Sequence, residues 1–219
     1  MIALIRKDIS LNLRTLVQSA AAGAIIILAF SRMESGIMFI AVWSMMIPYL
    51  YALMSCYTEE LNKGLAFSRS LPIAPSIIVW SKLFSFLAVI FASSLYVLLL
   101  GLFVSYMGWL RSVQGFTLLT AVVGPWMFLF VFHGVFLFLF FTYGYKRAQT
   151  VVSMMSLVFL LPLVLPDSVR SRTTLFLSRI FGGPHSTTLG IFLLLVVAFF
   201  VDVLLTWRAA RAFERKDLT

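Results

Sequence analysis

A chain of 219 residues, 62% of them hydrophobic and only 11% charged, with a mean hydropathy of +1.04, lies outside the soluble class, where about a quarter of residues carry charge. Its apolar runs are about 17–25 residues long and do not alternate, which favours helices over a barrel and predicts an all-α integral membrane protein. The net charge of +9 would point to nucleic acid in a soluble protein. Here the basic residues flank apolar runs, so orientation and attraction to anionic membrane lipids account for them and no nucleic-acid partner is expected.

In chain order, Ile2, Ile5, Ile9, Leu13 and Leu16 fall on one stripe and Lys7, Ser10 and Arg14 on another side. Residues 1–16 therefore read as an amphipathic helix in the membrane interface, the alternative being the ragged start of a long span. No cleaved signal peptide is read there. The first span, Val17 to Phe30, carries Ser19, Ala20, Gly23 and Ala24. Small residues four apart let helix backbones approach closely, which places this span inside the bundle or at a subunit contact. The second span, Ile37 to Tyr57, is expected to kink at Pro48. Cys56 is the only cysteine, so no internal disulfide forms.

The longest polar interruption follows, Thr58 to Lys82. Glu59 and Glu60 are expected to begin a short helix, since acidic side chains favour the positive end of the peptide dipoles. Leu61, Leu65, Phe67 and Leu71 gather on one side of it, Asn62, Lys63, Arg69 and Ser70 on the other. Pro72 and Pro75 end it for want of an amide hydrogen. Such a helix presses its apolar side either on headgroups or on another protein.

The third span, Ile77 to Val104, is long enough that its start around Lys82 is expected to project from the membrane or tilt. The fourth, Phe116 to Phe141, repeats phenylalanine with period two from Phe128 to Phe140, but an apolar run of this length is better accommodated as one helix. A tight basic turn, Tyr143 to Arg147, precedes the fifth span, Thr150 to Leu165. Residues 166–185 are too polar to span and too hydrophobic for a free loop, and read as helices at the opposite surface. The sixth span runs from Ser186 to Trp207. Twelve of the 17 basic residues flank one side, against Arg32, Arg111, Arg170, Arg172 and Arg179 on the other. Six spans with both termini and residues 58–76 in the cytoplasm satisfy that asymmetry.

Neither a nucleotide-binding glycine-rich loop nor a zinc-protease or cysteine-pair metal motif occurs, so the chain is not expected to be an enzyme or to carry a cofactor. His133, in mid-span, fits either a proton path or a hydrogen bond within the bundle. Asp202 is the one carboxylate deep in a predicted span. It is close enough to Trp207 to reach the interface or pair with a lysine or arginine, and an intramembrane carboxylate raises the suspicion of function.

Three stretches carry a likeness. The segments are Leu4 to Arg14; Glu59 to Pro72 followed by Ile77 to Lys82; and Asp167 to His185. In these the chain resembles the membrane subunit of an ABC-2-type transporter, the permease of a bacterial ABC exporter, and is most similar to the short six-span members. They look like that family's amphipathic entry helix, its cytoplasmic coupling-helix loop and its extracellular re-entrant helices. Ile73-Ala-Pro75 stands where relatives often carry a basic residue after the proline. The resemblance implies two permease copies, identical or related, in the bacterial cytoplasmic membrane. They would sit on separately encoded ABC ATPase subunits that hold the ATP and Mg. Leu61, Leu65 and Phe67 would dock in a groove of the ATPase, with Glu59, Glu60, Lys63 and Arg69 setting the register. An apolar or amphipathic cargo (lipid, peptide or drug-like) would suit the aromatic fourth span, though ordinary lipid contact explains that span equally well. The short chain and the lack of a polar pore lining motivate an alternative, a non-transporting membrane immunity or assembly factor.

Overall fold

The computed structural model describes residues 1–33, 36–64, 70, 72–110, 115–164 and 184–215, without side-chain surroundings for 115–117, 157–164, 184–189 and 191. Every regular element among them is a helix. In order these are α1 (Ile2–Phe30), α2 (Gly36–Leu61), α3 (Pro75–Tyr106), α4 (Gly115–Val123), α5 (Trp126–Tyr143), α6 (Tyr145–Val164) and α7 (Pro184–Arg215). Five helical stretches are long and apolar enough to cross a membrane: Ile2–Phe30, Gly36–Leu61, Pro75–Tyr106, Leu118–Tyr143 and Phe192–Arg215. The remaining expected span, Thr150 to Leu165, falls mostly on α6, whose side chains beyond residue 156 lie outside the described ones. Of residues 166–185, where surface helices were expected, 166–183 lie outside them too, and Pro184 and His185 open α7.

Bilayer solvent decides which faces turn inward. Lipid tails are as apolar as leucine, so helices associate through close packing and hydrogen bonds, not through burial of grease. In α1 the buried residues are Asp8, Asn12, Ser19, Gly23 and Ile27, a stripe of mostly polar or small side chains three or four positions apart or multiples of that. Several of its apolar residues turn outward, Ile2 83% and Leu13 53% exposed, while Leu4, Ile9 and Leu16 pack partly against the core. No break separates residues 1–16 from the span that follows: entry segment and span form one helix of 29 residues, about 44 Å long.

α2 passes through Pro48 without interruption and runs four residues beyond the expected end at Tyr57. Glu59 and Glu60 thus close α2, where the sequence pattern had them opening a new helix. Lys63, in the left-handed region at φ 50°, turns the chain out of the helix, and its amide donates to the Glu60 carbonyl at 3.2 Å. α3 starts cleanly at Pro75, whose preset φ and missing amide suit the first helical position.

The expected single fourth span is two helices. Pro125 has no amide hydrogen to continue the ladder, and Gly124 ends α4 by donating to the Thr120 carbonyl at 2.8 Å. α5 is the most central helix: half of the most apolar stretch of Leu118–Tyr143 is buried, against 17% for α1. Its phenylalanines stack along the helix and against neighbours, Phe132 on Phe136 at 6.0 Å and Phe141 on Phe213 at 4.9 Å. The apparent period of two arises because α5 is covered on nearly every side. α7 does not end near Trp207 as expected. It continues to Arg215, with Ala209, Ala210 and Phe213 buried.

α5 and α7 form the broadest helix pair, and Gly134 sets their separation. A Cβ at Gly134 would lie 2.9 Å from Asp202 Cα and 3.0 Å from Asp202 Oδ1, so only glycine admits α7 at this distance. At Gly23 a Cβ would instead overlap the Trp43 indole, so glycine there makes room for a side chain of α2.

Candidate functional site

Two polar centres lie inside the bundle. The first is built on Lys82, two turns into α3. Its Nζ lies 3.2 Å from Asp8 Oδ2 and 3.3 Å from Glu59 Oε2, and donates to Ser55 Oγ at 2.7 Å. The contact with Glu59 Oε2 is an ion pair without a well-aligned hydrogen bond. Lys7 completes the group, donating to Glu59 Oε1 at 3.4 Å. Two cations and two carboxylates cancel, which is the condition under which charges persist in a low-dielectric interior. Lys82 is 3% exposed, so its ammonium faces other groups of the protein. Asn12 supports the group through Nδ2, which donates to the Asp8 carbonyl at 2.9 Å, while its Oδ1 accepts from Thr58 Oγ1 at 3.4 Å.

The position of this group matters as much as its charges. Glu59 lies just before the chain leaves α2, and Lys82 lies just after α3 begins, so the ion pair spans both roots of the α2–α3 connection and holds α1 to them. Glu60, next along, reaches the other way: its Oε2 accepts the backbone N–H of Tyr145 at 2.7 Å. A carboxylate at a helix C-terminus opposes the peptide dipoles. Here Glu59 is offset by two lysines and Glu60 by the positive first turn of α6.

The second centre joins α5 to α7. His133 Nδ1 lies 3.0 Å from Asp202 Oδ1 and 3.3 Å from Oδ2, a hydrogen-bonded pair. Asp202 is 0% exposed, so it neither reaches the interface nor pairs with a lysine or arginine as its sequence position had suggested. The Phe86 ring lies flat on His133 at 3.8 Å and 5°. A cavity of about 10 Å³, lined among others by Tyr51, Ser55, Lys82, Phe86 and His133, separates the two centres. That is about the room one water needs. The Tyr51 hydroxyl, buried beside Ser85, has no well-formed hydrogen bond. Among the described residues no group of three His, Cys, Asp or Glu is placed to hold a metal.

The residues expected to meet a partner divide. Glu59 is buried among its lysines, so it cannot set register on another protein. Glu60, Leu61 and Lys63 are exposed, whereas Leu65, Phe67 and Arg69 lie outside the described residues. Of the small residues in α1, Ser19 and Ala20 offer backbone carbonyls to Trp43 Nε1 at 3.0 Å and to the Tyr96 hydroxyl at 2.9 Å. Together with Gly23 they pack against helices of their own chain; Ala24 is half-buried. The Lys82 group was missed from sequence, but a signal existed. Asp8, Asn12, Ser19 and Gly23 form a polar and small stripe on an apolar helix, and such a stripe faces protein, not lipid.

A family model described as "ABC-2 family transporter protein" matches residues 3–208. No curated protein and no solved structure matched the chain.

Proposed function

Because the chain belongs to the ABC-2 transporter family, whose membrane components act as permeases, we propose that it is the permease subunit of an ATP-driven exporter, coupled to a separate ATPase through the α2–α3 connection. The observation that carries this reading is the Lys7–Glu59–Lys82–Asp8 group. Force applied to residues 62–74 acts on Glu59 at one root and on the start of α3 at the other, and the ion pairs pass it to α1. Glu60 passes it to α6 through the Tyr145 amide. Four helices then respond to one lever. ATP and Mg reside on the ATPase, and this chain holds neither. Two permease copies assemble in the bacterial cytoplasmic membrane, with both termini inside. An apolar groove of about 400 Å³, lined by residues including Leu16, Val17, Ala20, Ala88 and Tyr96, suits an apolar or amphipathic cargo.

The test is capture of the full chain from detergent-solubilised membranes of cells that also express the candidate ATPase. An ATPase subunit is expected to co-purify, with hydrolysis stimulated over that of the ATPase alone. Leu65→Asp is expected to abolish the stimulation while leaving the permease folded. Purification without any ATPase, or full stimulation in Leu65→Asp, overturns the coupling.

A further inference from the structure

The last two turns of α7 carry a basic cluster that plays no part in the coupling. Arg208, Arg211 and Arg215 recur at intervals of three and four, so their side chains leave the helix on one side. With Trp207 and with Phe138 of α5 they line a cleft of about 440 Å³. The Arg211 guanidinium lies over the Trp207 ring, 3.7 Å from its centroid. All three arginines are exposed, and among the described residues none has a carboxylate within 4.0 Å. Lys7 and Lys82 by contrast are both paired. Farther into the span the same stripe continues as Val197, Phe200 and Leu204, which are 57%, 64% and 54% exposed.

We propose that this cleft is a binding site for an anionic phospholipid, with the headgroup phosphate held by the three guanidinium groups and an acyl chain lying along Val197, Phe200 and Leu204. The planar guanidinium fork matches phosphate oxygens two at a time. Trp207, 43% exposed, is the kind of amphipathic ring that settles between headgroups and tails. The α7 C-terminus adds about half a negative charge and the exposed Glu214 one more, against three full positive ones. A zwitterionic lipid would bring its own cation into the same cluster, so the site discriminates by net headgroup charge. The exposed apolar stripe running directly into the basic cleft favours a lipid over a free phosphate ion, which has no tail to lay there.

The proposal is tested by native mass spectrometry on the full-length, delipidated protein, titrated with phosphatidylglycerol or phosphatidylcholine of matched acyl chains. Phosphatidylglycerol is expected to bind about tenfold more tightly, a discounted figure for three basic side chains near a membrane surface. The triple variant Arg208→Gln, Arg211→Gln, Arg215→Gln is expected to bind both lipids equally. Arg211→Lys, which keeps the charge and loses the fork, should fall between them with helical content unchanged. Lys146→Gln with Arg147→Gln, on another helix, should leave the preference intact. Three results overturn the site: a preference that survives the triple variant; displacement of the lipid by millimolar glycerol phosphate, which would make it a free-anion site; or a changed oligomeric state with unchanged lipid preference, which would assign the face to a second copy.

Discussion

Lys82 and Lys7 touch the same carboxylate but differ in what surrounds them. The Lys82 side chain is 3% exposed and faces both Asp8 and Glu59, whereas that of Lys7 is 35% exposed. Replacing Lys82 by methionine leaves two buried carboxylates facing each other, and a loss of about 3–5 kcal/mol is expected, as when one partner of a buried pair is removed. Lys7→Met removes a screened, half-wet contact and should cost at most about 1 kcal/mol. Unfolding in graded denaturant reads the difference, and equal losses would refute the buried cluster. The His133–Asp202 pair calls for a double-mutant cycle. His133→Leu or Asp202→Leu alone strands a buried polar partner at about 1–3 kcal/mol. The double variant should recover about 1–2 kcal/mol relative to the sum. Strictly additive losses would show that the two side chains do not interact. Both residues stood out in the sequence as polar groups in apolar spans. Their pairing did not, because 69 residues separate them and only the α5–α7 contact brings them together.

At the scale of elements, the closeness of α5 and α7 is set by backbone. A Cβ at position 134 would meet Asp202 Cα, which cannot swing aside. Gly134→Ala is therefore expected to push the helices apart, with a loss of about 1–3 kcal/mol and lengthening of the neighbouring His133–Asp202 contact. Gly23→Ala meets a side chain, Trp43, that can move, and should cost less. The comparison is made by thermal unfolding in one detergent; a larger loss from Gly23→Ala would show that α5 and α7 do not pack as described. The helices that cross the bilayer were legible as long apolar runs, because hydropathy alone marks them. Their ends were less so. Glu59 and Glu60 resemble a helix start because acidic residues suit one, yet here tertiary partners, the lysines and the α6 N-terminus, override the dipole preference. The break at Gly124 and Pro125 was available in sequence and was masked by the continuous hydropathy around it.

For the molecule as a whole, α1 has a protein-facing line that neither side of its sequence pattern named. Residues 1–16 look like a surface helix when the isoleucines are taken as the buried side. In the structure the line facing the protein is Asp8, Asn12, Ser19 and Gly23, while Ile2 and Leu13, and with them Ser10 and Arg14, are exposed, and Asp8 becomes a partner for Lys82. That arrangement also bears on how the chain is made. Asp8 and Glu59 both precede Lys82 in the chain, and His133 precedes Asp202, so each later residue is synthesised after its partner. A lysine two turns inside a helix enters the bilayer at lower cost when its charge is paired. Nascent chains truncated after residue 110 should therefore insert α3 less often when Asp8 and Glu59 are both leucine. A glycosylation reporter measures that fraction, and an unchanged value would mean that the bundle assembles only after every helix is already in the bilayer.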